Sequence, residues 1–286
     1  MMWLKRMDAW VFSPTDARQI AGVRIGLSAV LLFRLFRHDF IALTDQPDGL
    51  YRPLSYMHAF GSMPPSSVTR GLFVTAVIAA CCSLVGYRSR VALPIAVACS
   101  LVLFGMTTSL GKVMHNEALL MLCLIPLAFA RTDEAWSVAS WRKGAEAAVV
   151  SGWPWRVAML LVCGAYFFAG LAKITHSGPA WVFSDNMRWI LYANSDARAV
   201  PNHFALFIAD HPWLSRLSGA SIMAFELGFP LVLWRSALRW VFVPAALVMH
   251  AMTWFTLRLD YSAMGAVAVV TFVYWPAVAS AMPSHR

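Results

Sequence analysis

Lys173 stands near the end of the apolar stretch "GAYFFAGLAKITHSGPAW", residues 164–181, with no acidic residue within ten positions on either side. On a helix through 164–176, Tyr166, Ala169, Gly170 and Lys173 share one stripe, with Ala165 and Ala172 beside it. Small residues let helices approach closely in a membrane, so this stripe is expected to face protein and to carry Lys173 inward. Burial disfavours the ammonium form relative to the amine, and a neutral amine can take a proton as a general base. A lysine at a helix end can equally snorkel to the interface as an anchor. Both readings are open on the local sequence.

A second polar cluster, "GKVMHNEALLML", joins two apolar runs and holds Lys112, His115, Asn116 and Glu117. His115 has the chemistry of a proton relay and Asn116 that of an amide that orients an oxygen. The plainer reading is a tight turn whose polar side chains cap helix ends. Glu226 in "SIMAFELGFPLVLW" and His250 in "AALVMHAMTWF" each fall near the middle of an apolar run. A carboxylate at that depth is costly unless paired, so Glu226 is expected to pair with His250 or with Arg24 as a structural core pair. Arg34, closer to a helix end, is expected to snorkel.

These residues must be positioned by membrane helices. The 286 residues are 59% hydrophobic and only 13% charged, with a mean hydropathy of +0.62. A soluble domain carries about 25% charged residues, and a bilayer is crossed by about 20 apolar residues. Apolar runs near 17–36, 71–87, 91–110, 117–131, 155–174, 217–234, 239–257 and 261–282 predict an all-α, polytopic membrane helix bundle of about eight spans. The fourth run is short and is expected to tilt little or to be partly re-entrant. Residues 1–16 read as an interfacial helix, with Trp3, Leu4, Met7, Trp10 and Val11 at helical spacing, followed by one transmembrane domain over 17–286. The N-terminus has no long apolar core ahead of its charges and does not read as a cleavable signal peptide.

Lys and Arg in short loops set orientation. The connectors "GYRSR" and "WRSALRW" carry the sharpest signal and place both termini in the cytoplasm, in a cell inner (plasma) membrane. Segments 37–70 and 174–216 then face outward, and their aromatic residues and apolar periods predict short amphipathic helices over the outer mouth. Segment 131–156 reads as an interfacial connector on the inner side.

The net charge of +9 is spread between apolar runs without an arginine-rich tract, which argues against nucleic acid and for contact with membrane lipid. Cys81, Cys82, Cys99, Cys123 and Cys163 lie inside apolar runs, with neither CxxC nor Cys/His ligand spacing. They read as packing residues, and no metal is predicted. There is no HExxH, nucleophile elbow, P-loop or GxGxxG.

"YFFAGLAKI", with Trp181 close behind it, resembles the segment that holds the catalytic lysine of vitamin K-dependent gamma-glutamyl carboxylases, which belong with the horizontally transferred transmembrane (HTTM) domain proteins. "RIGLSAVLLF", "LVGYRSRVALP", "VMHNEALLMLCLIPL", "FELGFPLVL" and "VMHAMTWF" match in the same order over most of the chain. The resemblance implies a lysine base, Lys173, acting on a reduced quinone, with Tyr166, Gly170 and Trp181 about the cofactor and His115 and Asn116 assisting. The family's asparagine–histidine pair is reversed here as His115–Asn116, and an asparagine expected after His250 is Thr253. The chain stops at "MPSHR" without a large lumenal domain, so carboxylation of a protein is not expected. The resemblance therefore implies a membrane enzyme with carboxylase-like lyase or oxidoreductase chemistry on a lipid-phase molecule. The alternative is a non-enzymatic membrane partner for the maturation, immunity or transport of a small peptide or lipid. A channel would need a continuous polar path, which the sequence lacks toward the inner side.

Overall fold

The computed structural model describes residues 2–53, 55–110, 115–146, 148–197 and 199–281. Lys112 and Arg198 therefore lie outside the described residues. The chain forms an all-α polytopic membrane bundle, divided into two compact units: residues 1–159 with 273–286, and residues 160–272.

The first unit starts with α1 (Met2–Phe12) and strand β1 (Pro14–Asp16). Asp16 then caps α2 (Ala17–Arg37) by accepting the Arg18 amide at 2.8 Å, which satisfies one of the orphan donors of a helix start. A one-turn α3 (Phe40–Leu43) leads to α4 (Ser66–Leu84) and α5 (Ser89–Thr108), which form an antiparallel pair against α2. The apolar α6 (Ala118–Ala128) packs on α2 and α5. The short α7 (Val138–Lys143) begins with a Ser137–Ser140 capping box and ends at Gly144, whose φ of 68° suits a residue without a side chain. Strand β2 (Val149–Ser151) pairs antiparallel with β1, Thr15 opposite Val150.

Helix α8 (Trp153–Ser177) runs on into the second unit. There it is followed by α9 (Ala180–Phe183), α10 (Asn186–Asp196), α11 (His203–Asp210), α12 (Pro212–Gly228), α13 (Arg239–Leu257) and α14 (Ser262–Phe272). The last helix, α15 (Trp275–Ala281), belongs to the first unit and packs on α2. That contact depends on Gly22, where any Cβ would collide with the Trp275 ring.

Among the described residues, six helical segments are long and apolar enough to cross a membrane: 17–37, 66–84, 89–108, 153–177, 212–233 and 236–257. They coincide with six of the eight expected runs. The other two are the 11-residue helices α6 and α14. At 1.5 Å per residue each reaches about 16 Å, against a hydrocarbon core of about 30 Å.

Arg24 is fully buried and donates to the carbonyls of Thr132 and Trp136. It anchors the 132–136 connector within its own unit and is not the partner of Glu226. Arg34 is also buried, at 2% exposure, where snorkelling was expected. Its guanidinium bonds Glu117, with Nε to Oε1 at 2.9 Å, and His38 Nε2 lies 3.0 Å from the same oxygen. A buried arginine is retained when a carboxylate is at hand.

Candidate functional site

The second unit brings together most of the residues singled out in the sequence. Tyr166, Gly170 and Lys173 are spaced i, i+4 and i+7 on α8 and face α12, as the stripe of small residues predicts. Gly170 is buried, and a Cβ there would meet Glu226 Cβ at 3.0 Å and the Leu227 side chain at 3.1 Å. The absent side chain is what lets the two helices approach so closely.

That approach sets Lys173 Nζ 2.7 and 2.8 Å from the two carboxylate oxygens of Glu226. The amine also lies 3.4 Å from the Ala169 carbonyl and 5.4 Å from the centre of the Trp181 ring. The Lys173 side chain keeps 24% of its surface exposed and that of Glu226 9%. Trp181, on α9, fits over Gly219 of α12, where a Cβ would stand 3.4 Å from its ring. Gly219 and Glu226 are two turns apart on one face of α12, so a single helix face receives both the lysine and the tryptophan.

Two turns back along α8, the Tyr166 hydroxyl hydrogen-bonds His250 Nε2 of α13 at 2.9 Å. Both residues are buried, and His250 Nδ1 has no hydrogen-bond partner among the described residues. Tyr166 rests on Phe225 and Phe229, with ring centres 5.0 and 4.5 Å away. The expected Glu226–His250 pair is thus replaced by two pairs, Glu226 with Lys173 and His250 with Tyr166. Both take a partner on α8, where a charged and a hydroxyl-bearing side chain stand two turns apart.

A model of the HTTM domain family matches residues 12–275. The chain belongs to the HTTM domain family. No curated protein and no solved structure matches it.

The second unit of this HTTM chain also holds a cavity of about 600 Å³, within the range of about 300–1,000 Å³ usual for small-molecule sites. Its wall is largely apolar and includes Leu191, Ile222, Phe225, Met249 and Met252, relieved by hydroxyls such as Ser221 and Thr253. Phe225, which packs on Tyr166, lies in this wall, whereas Lys173 and Glu226 do not line it. The helices about it are pinned by polar contacts. Asn202 caps α11 by accepting the Ala205 amide at 3.1 Å, and its amide group donates to the Phe255 and Thr256 carbonyls at the end of α13.

His115 and Asn116 belong to the first unit, the former exposed and the latter buried. The cluster in that unit which the sequence did not reveal as a set is Arg34, His38 and Glu117. The available signal was the i, i+4 spacing of Arg34 and His38 at one helix end. Burial and the hydrogen bond from His38, with the Arg34 charge, act on Glu117 in opposite senses: desolvation raises its pKa, but the two partners prevail and hold the carboxyl below its ordinary value.

Proposed function

We propose that this HTTM protein is a membrane-embedded enzyme in which the Lys173–Glu226 pair moves a proton for a lipid-phase molecule, a reduced quinone being the leading class. One observation carries the reading. A lysine in an apolar helix is held by both oxygens of one carboxylate while a quarter of its surface stays open beside an indole ring. In a proton transfer Lys173 Nζ gains a proton from the substrate while an N–H of the same amine passes its proton to Glu226 Oε1. The amine stays an ammonium, the carboxylate becomes a neutral acid, and the ammonium left without its counter-charge faces the substrate anion. Trp181 supplies a flat apolar surface on which an aromatic ring can lie. A bound quinol would supply the acidic hydroxyl and the reducing equivalents. The resemblance to the vitamin K-dependent carboxylases supports this role, with Tyr166 and Gly170 shaping the floor. The bias of Lys and Arg supports an orientation with both termini cytoplasmic and the pair near the outer leaflet.

Oxygen uptake by the purified protein in nanodiscs, supplied with a reduced naphthoquinone, tests the reading. Wild type should consume oxygen above the empty-disc rate, and Lys173→Met and Glu226→Gln should each remove at least nine-tenths of that excess. Equal uptake by folded wild type and Lys173→Met would overturn it.

A second reading is favoured by the cavity wall, which leaves out the polar pair, and by the exposure of Trp189 and Trp213 at 67% and 63%. Here the protein is a non-enzymatic partner that holds a small peptide or lipid on α10–α12, and Lys173 is a clamp between helices. Biological activity that survives Lys173→Met but is lost on Trp189→Ala, Tyr192→Ala or Trp213→Ala would establish it over the first.

A further inference from the structure

The turn between α4 and α5 and the connector before α7 form one surface of the first unit. The Val138 amide donates to the Val85 carbonyl at 2.9 Å, and a Cβ on Gly86 would collide with Ser137, so the two segments are in direct contact. Five basic residues gather there, Arg88, Arg90, Arg131, Arg142 and Lys143, against Asp133 and Glu134, while Glu146 accepts the Trp136 amide at 2.9 Å. The acidic pair is already engaged: Glu134 lies 2.6 Å from Arg131, 3.6 Å from Arg90 and 4.0 Å from Lys143, and Asp133 3.9 Å from Arg90.

Arg88 and Arg142 are left without a carboxylate among the described residues. Both stack about the Tyr87 ring, with guanidinium carbons 5.8 and 5.5 Å from its centre, and both are exposed. Stacking on one ring gathers two like charges that would otherwise separate. Large apolar side chains stand open on this surface: Trp141 of α7 and Phe129 at the end of α6 are each 80% exposed, and Val85 in the turn is 50% exposed. The turn closes two membrane-spanning helices, so these groups lie where headgroups meet acyl chains.

We infer that Arg88 and Arg142, gathered by Tyr87, form a site for the phosphate of an anionic phospholipid in the leaflet at this end of α4 and α5. A guanidinium can give a phosphate two parallel N–H bonds, and the exposed indole and phenyl groups take the glycerol and upper acyl region. The inference rests on the membrane-spanning fold and is independent of the role of Lys173.

Native mass spectrometry of the purified protein, titrated in detergent with phosphatidylglycerol or phosphatidylcholine, tests the site. Each basic group at an anionic surface contributes roughly a fivefold gain in binding. Arg88→Asn/Arg142→Gln should therefore bind its first phosphatidylglycerol roughly 25-fold more weakly, with phosphatidylcholine unchanged. Asparagine is chosen because Arg88 has a φ of 46°, a left-handed conformation that asparagine tolerates. Arg142→Gln alone, which leaves that turn untouched, should show about a fivefold loss. Arg235→Gln removes a charge from an exposed arginine of the other unit and should leave the affinity within twofold. Unchanged phosphatidylglycerol binding in both site variants, or an equal loss in Arg235→Gln, would overturn the site. Displacement of the lipid by millimolar inorganic phosphate would overturn the lipid as its ligand.

Discussion

Glu226 packs against Gly170 so closely that a methyl group on the glycine would stand 3.0 Å from the Glu226 Cβ. The close approach of α8 to α12 is set by this pair, and the Lys173–Glu226 contact depends on it. Gly170→Ala should force a shift of a few tenths of an ångström, and overpacking of this kind costs about 1–3 kcal/mol. A lowered melting temperature in detergent, with a larger drop for Gly170→Val than for Gly170→Ala, is the expected result.

The ion pair itself should show strong non-additivity. Removing one member of a buried pair leaves the other charge without its partner, at a cost of about 3–5 kcal/mol, with the lower end expected here because Lys173 is partly exposed. Lys173→Met and Glu226→Leu should each destabilise the protein by about 3 kcal/mol, while the double variant Lys173→Met/Glu226→Leu should recover most of the loss. A double-mutant cycle on unfolding free energies checks this.

The Tyr166–His250 bond makes a separate prediction. Tyr166→Phe keeps the aromatic packing on Phe225 and Phe229 but strands His250 Nε2, in a histidine whose other ring nitrogen already has no partner among the described residues. Leaving a buried polar group unsatisfied costs about 1–3 kcal/mol. Tyr166→Phe should fall in that range, and Tyr166→Phe/His250→Leu should be no less stable than the single variant, as measured by thermal unfolding.

Acid should weaken the first unit through Glu117. Burial acts to raise its pKa, but the His38 hydrogen bond and the Arg34 charge bring the folded-state value below the ordinary one, near 4.3 for a free glutamate. A carboxyl with a depressed folded value contributes stability in full above its unfolded value and loses it as pH falls through the folded one. The melting-temperature gap between wild type and Glu117→Gln should therefore be constant at neutral pH and narrow as pH drops below about 4. Melting curves collected from pH 7 to pH 3 decide the point.

Arg34 and His38 show how local signals go only part of the way. Their i, i+4 spacing puts them on one side of α2, and that much is written in the chain. Whether Arg34 reaches for water or for Glu117 depends on α6, whose first residue comes directly after Glu117 and whose packing on α2 lies 83 positions along the chain. Arg24 behaves in the same way, since its acceptors are backbone carbonyls that no side-chain pattern announces.

The sequence by itself determined that this is a membrane protein of apolar helices. About 20 apolar residues must recur wherever backbone crosses hydrocarbon, and that requirement is local. The 3.6-residue period likewise determined that Tyr166, Gly170 and Lys173 share a face. Only the tertiary structure decided that Lys173 meets Glu226 and that His250 meets Tyr166. Partners 53 and 84 residues apart are chosen by which helices touch and at what depth, and for the first of them Gly170 lets α8 come close enough to α12.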